Sequence, residues 1–139
     1  MRKKMQMIVI VLASALIGGG AVAAMKASPR PVATPETVLS VFHVKEGSEE
    51  AFLKTARDTW ATYREMDGVF PSPHLLMKGT DESGKTCYFE VFTWRDAEIP
   101  DHAPDKVKAH WKELESLCEQ RSGRRGIEIN PVQIVDEAK

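Results

Sequence analysis

With 139 residues, the chain has room for one domain of modest size and a short leader. Its 42% hydrophobic and 28% charged residues exclude a disordered chain. The formal net charge is −1, and about −4 once Arg2, Lys3 and Lys4 are set aside, which argues against a nucleic-acid-binding face.

Residues 1–24 have the layout of a signal peptide. Arg2, Lys3 and Lys4 are followed by an apolar run over 7–17, then Gly18, Gly19 and Gly20, then the small residues Ala21 to Ala24. The alternative is an uncleaved anchor, because 5–24 is near the length that spans a bilayer. Either reading predicts export, to the periplasm or beyond, with contact to the membrane only through an uncleaved leader. Residues 25–36 hold Pro29, Pro31 and Pro35 and read as a spacer ahead of a domain over 37–136.

Residues 37–44, TVLSVFHV, predict a strand that is apolar on both faces and so covered on both. Ser48, Glu49 and Glu50 predict the start of a helix over 48–66, with Phe52, Ala56, Trp60, Tyr63 and Met66 as its apolar stripe. Pro71 and Pro73 fall in a predicted loop, and 74–78 in a short strand. The segment 79–85, GTDESGK, is a turn by composition, and 86–94, TCYFEVFTW, is the clearest strand. Cys87, Phe89 and Val91 lie on one of its faces, and Tyr88, Glu90, Phe92 and Trp94 on the other. A second helix is expected from Pro104 to about Gln120, with the stripe Val107, Trp111, Leu114 and Cys118. After the basic turn of Arg121, Arg124 and Arg125, residues 127–135 form a last strand, marked by Pro131 as an edge.

The order β-α-β-β-α-β predicts an α+β, ferredoxin-like sandwich with an antiparallel four-stranded sheet. Two helices cover only one face of such a sheet. The bare face, expected to carry Phe92 and Trp94, would be covered by a second copy, giving a homodimer and a dimeric α/β barrel.

The stretches FHVKEGSEEAFLK (42–54), YFEVFTW (88–94), IPDHAPDKVKAHW (99–111) and GIEINPVQIV (126–135) make residues 36–136 similar to the antibiotic biosynthesis monooxygenase-like family of the dimeric α/β-barrel superfamily. Trp94 and His102 stand where the family often has a Trp ending the third strand and a His leading into the second helix. The resemblance implies oxygenases that need no cofactor and act on aromatic or quinol compounds, haem-degrading oxygenases, or members without assigned activity. The haem-degrading branch has an Asn on its first strand. TVLSVFHV has none, and His110 and Trp111 do not follow that branch's spacing, so haem degradation is disfavoured.

Glu90, among Tyr88, Phe92 and Trp94, is a carboxylate in an apolar setting and a candidate for proton transfer. The other reading pairs it with a Lys or Arg across the dimer, or with water at the sheet edge. His43 and His102 are the further catalytic candidates, and Tyr88, Phe92, Trp94 and His74 the candidate ligand pocket. No histidine pair has metal-site spacing, so no metal is expected. Cys87 and Cys118 are both expected between sheet and helices; an oxidising compartment would allow a disulfide, but a helix-to-sheet spacing of about 10 Å against a Cα limit of about 7 Å favours two buried free thiols. Two functions follow. One is an oxygenase acting on a small aromatic or quinol-type molecule; the other is a non-catalytic ligand-binding or dimerisation module of the cell envelope. An enclosed space of about 300 Å³ or more in the dimer, with Glu90 or a histidine pointing in, favours the first.

Overall fold

Inner strands that are apolar on both sides need cover on both sides, and the topology supplies it on one. The computed structural model of the protein describes Pro29 and residues 31–136. The leader over 1–24 lies outside the described residues. The elements run β1 (Glu36–Phe42), α1 (Glu49–Glu65), β2 (Val69–Thr80), β3 (Thr86–Trp94), α2 (Asp105–Ser116) and β4 (Ile127–Val132). The four strands form one sheet in the order β2-β3-β1-β4, with every neighbouring pair antiparallel. This is the ferredoxin-like fold that the element order predicts.

Several boundaries differ from the expected ones. β2 starts at Val69 and runs through Pro71 and Pro73, which had been expected in a loop. It tolerates them because it is an edge strand, and its pairing with β3 breaks register between Val69 and His74. Ser48 stands at the start of α1, but its side chain makes no capping bond; its backbone carbonyl accepts from the Phe52 amide instead. A short 3-10 turn, Ile99–His102, precedes α2, and α2 ends at Ser116, four residues before the expected Gln120. Just past its end, Cys118 bridges to Val44.

Alternation along β1 and β3 places Val38, Phe42, Tyr88, Phe92 and Trp94 beneath the helices, each no more than 5% exposed. The expectation that Phe92 and Trp94 lie on the bare face is therefore corrected. Both faces of β3 are apolar, but only the aromatic one matches the aromatic stripe of α1. Phe52 packs on Phe42 and Tyr88 with ring centroids 5.0 and 4.8 Å away, and Tyr63 packs on Trp94 at 4.6 Å. The bare face carries half-buried Leu39, Val41, Phe89 and Val91, with Leu75 and Met77 exposed. Cys87 alternates with the aromatic set and belongs to the bare side, while Cys118 packs among the helix-side residues Phe42, Phe52 and Leu114. The two thiols thus lie on opposite sides of the sheet and not in one layer; both are free and buried. Burial raises both thiol pKa values, that of Cys118 to about 12.

The helix-side core is divided. One cluster gathers around Tyr63, Phe92, Trp94 and Val107, the other around Phe42, Phe52, Tyr88 and Leu114. Between them in the register stand Ser40 and Glu90, directly opposite each other across β1 and β3. They are polar residues at the centre of an otherwise apolar face, buried to 4% and 7% exposure.

Candidate functional site

Two polar side chains in mid-sheet leave a gap that aliphatic packing does not fill. Above them α1 presents the small residues Ala56 and Thr59, and Thr59 turns its hydroxyl back onto the Thr55 carbonyl. The result is a cavity of about 920 Å³ between the helix layer and the sheet. Tyr63, Phe92, Trp94 and Trp111 line one part of it, and Phe42, Leu114, Cys118 and Ile127 another. Exposed Asp101, Glu115 and Arg125 also contribute to the lining. This partly open space lies within one subunit, because the aromatic face of β3 turned inward.

Glu90 lines this cavity. Its Oε1 is hydrogen-bonded to His74 Nε2 at 3.0 Å. The His74 ring lies flat on Trp60, with ring centroids 3.6 Å apart and planes within 7°. Glu90 is thus paired with a histidine on the neighbouring strand. Its Oε2 has no protein hydrogen-bond partner among the described residues.

Tyr63 reaches the same cavity from α1, and its hydroxyl accepts the indole N–H of Trp111 from α2. Burial, with a smaller contribution from the charge of Glu90, lifts the phenol well above its ordinary pKa. The phenol therefore stays protonated and acts as a donor, not a base. No acceptor among the described residues takes its proton. The cavity consequently offers one free carboxylate oxygen and one free hydroxyl proton inside aromatic walls.

The other expected site residues separate. Tyr88 is packed under Phe52 and does not line the cavity. His74 lies behind Glu90, also outside the lining. His102 is exposed in the 3-10 turn, where its neighbours Pro100 and Asp101, but not its own ring, line the cavity. His110 bonds the Thr62 hydroxyl at 3.1 Å. His43 alternates away from Phe42 to the bare side of the sheet, so it cannot work with Glu90. It is buried there, with Nε2 3.1 Å from Glu128 and Nδ1 3.4 Å from Asp81.

Beside His43 is a residue whose role the sequence concealed. Arg121, in the basic turn that precedes β4, is buried. It donates to Asp81, Glu119 and the carbonyls of Thr86 and Val44, tying the β2–β3 turn to the end of β1. Hydrogen bonds from Ser83 first, then from Arg121 and the backbone amides of Lys85 and Ser83, hold the Asp81 carboxyl well below the usual carboxylate range. A carboxyl depressed by folding stabilises the fold above its unfolded pKa, and that contribution fades as pH falls through the folded value. Asp81→Asn is therefore expected to lower Tm at pH 7. Its deficit should shrink progressively as melts are repeated below pH 3.8, the ordinary value for the group.

No protein-family model and no curated protein sequence matches the chain. Solved structures do. SnoaB from Streptomyces nogalater, a cofactor-independent oxygenase, overlays with a TM-score of 0.56 at 19% identity, over 76% of this chain and 97% of that one. Rv0793 from Mycobacterium tuberculosis overlays at 0.54 with 14% identity, over 76% of this chain and 100% of that one. A dimeric ferredoxin-like protein of unknown function from Jannaschia sp. CCS1 overlays at 0.53 with 16% identity, covering 73% and 100%. At these identities the likeness is one of fold, and it matches the fold implied by the antibiotic biosynthesis monooxygenase-like resemblance of the sequence: the chain is a ferredoxin-like α+β domain of the kind that SnoaB and Rv0793 also adopt.

Proposed function

We propose that the cavity receives a small hydroxyaromatic or quinol-type molecule and that the chain oxidises it with dioxygen, without a cofactor. The carrying observation is the free oxygen of Glu90 in an aromatic-walled cavity of about 920 Å³, within the range of small-molecule sites. Glu90 takes a proton from the activated ring CH₂ of the substrate, or from the hydroxyl of its enol tautomer. The Tyr63 hydroxyl donates to the ring oxygen as negative charge develops on it. The resulting anion passes an electron to dioxygen, the two radicals join through a new C–O bond, and the proton returns to give a hydroperoxide. Loss of water leaves a carbonyl, so that R₂CH₂ + O₂ gives R₂C=O + H₂O.

The protein's part is to orient the ring, accept and return the proton, and exclude water. A direct test is incubation with 1,8-dihydroxyanthrone in aerated buffer, following quinone formation by visible absorbance and oxygen by electrode. One O₂ consumed per product, faster than without protein, supports the reading. Binding without oxygen uptake supports the non-catalytic ligand-binding role, and absence of both contradicts a site for this class of molecule.

The same reading includes a homodimer. Leu39, Val41, Leu75, Met77, Phe89 and Val91 form an apolar patch on the bare sheet face, which a second copy would remove from water. The dimeric ferredoxin-like structure from Jannaschia supports it. The basic and apolar leader supports a place of action outside the cytoplasm, in the periplasm or secreted, or at the membrane if the leader is retained.

A further inference from the structure

We infer that His74 is the proton outlet of the cavity, connecting Glu90 to bulk water between β2 and α1. This rests on the reading of Glu90 as the base. A base buried under a bound substrate has a problem of access, because a ligand filling the cavity shuts Glu90 off from water on that side. Its remaining opening is Oε1, held 3.0 Å from His74 Nε2. The His74 side chain is 24% exposed and that of Glu90 10%, so the pair runs from the interior towards the surface. A histidine can pass a proton without holding a charge. Nε2 takes a proton from Glu90 Oε1 while Nδ1–H gives one to water; the starting tautomer is restored through water, which returns a proton to Nδ1 and takes the one on Nε2, so that one proton passes from Glu90 to bulk water.

The local structure suits such a relay and is more than that ion pair alone requires. The break in pairing between Val69 and His74 sets the strand so that His74 stands beside Phe92 in register, while its ring reaches across to Glu90. The face-to-face stack on Trp60 fixes the ring plane, and Trp60 in turn packs on Tyr63 and Phe92, two residues of the cavity wall. His74 is therefore a positioning and relay residue: it touches the base and not the substrate.

The test needs no natural substrate. Stopped-flow infrared spectroscopy follows the Glu90 carboxylate band after a pH jump, assigned by subtracting the Glu90→Gln protein, with 1,8-dihydroxyanthrone filling the cavity anaerobically and again without it. With the cavity filled, His74→Phe, which keeps a flat ring on Trp60 but carries no proton, is expected to slow protonation of Glu90 at least about tenfold. His74→Gln, which keeps a hydrogen bond to the carboxylate, should slow it as well, and added imidazole should restore the rate in either variant. Circular dichroism checks that both are folded. Protonation at the wild-type rate in both variants overturns the relay. Failure of the aerobic assay together with slowed, imidazole-rescued exchange keeps the relay and counts against the oxygenase reading alone.

Discussion

Glu90→Gln is expected to lower oxidation of 1,8-dihydroxyanthrone by about 10²–10⁴-fold, the usual worth of a positioned general base. Glutamine has the shape of glutamate, and its amide keeps the bond to His74 Nε2 in either tautomer, its oxygen accepting from Nε2–H or its NH₂ donating to bare Nε2. What it lacks is the ability to take a proton. Affinity for the anthrone, read from quenching of Trp94 and Trp111 fluorescence, should change by less than about threefold, since the cavity walls are untouched. Tm should hold or rise, because the substitution removes a buried charge while leaving its hydrogen bond in place. An unchanged turnover number would remove Glu90 from the mechanism, and a collapse in affinity with turnover intact would make it a binding group only.

The second large effect concerns the other side of the sheet. Val91 sits in the middle of the bare face, with Leu39 and Leu75 as its cross-strand partners. A lysine there extends its ammonium to water in a free subunit, lying its stem along the neighbouring side chains, so the fold should survive. In a dimer packed through this face the same ammonium would be buried without a partner, at a cost of several kcal/mol. Val91→Lys is therefore expected to weaken association by at least about 100-fold, about 2.7 kcal/mol. Sedimentation velocity at micromolar concentration should show the wild type as a dimer and the variant as a folded monomer. A variant that sediments as the wild type does would place the interface elsewhere.

Much of this architecture is legible in the sequence because it depends on local periodicity. The alternation in 86–94 and the helical stripe of Phe52, Ala56 and Tyr63 determine which residues share a face. They do not determine which face the helices take. Both sides of β3 are apolar, so Phe92 and Trp94 could be set on either, and only their fit to α1 decides. The first part of β2 is hidden from the sequence because proline vetoes a central strand and not an edge one.

The site divides in the same way. Glu90 stood out as one carboxylate among aromatic residues, and it does line the cavity. Ser40 carried an equal signal, a lone polar residue among the inward-facing positions of β1, and its register opposite Glu90 gives it meaning. Tyr63 and Trp111 looked like ordinary core residues, since a helix stripe does not reveal a gap beneath it. The Glu90–His74 bond spans 16 residues and depends on a register break, and the Arg121–Asp81 bond spans 40. No spacing rule reaches such contacts, which arise only when the hairpin and the closing turn are assembled.

The most direct measurement is a crystal structure of the protein soaked anaerobically with 1,8-dihydroxyanthrone. The ring system should lie between the helix layer and the sheet, against Trp94 and Trp111, with one oxygen within hydrogen-bonding distance of Glu90 Oε2 and another near the Tyr63 hydroxyl. An anthrone seated on the bare sheet face, or a cavity holding only water at saturating concentration, would contradict this placement of the site.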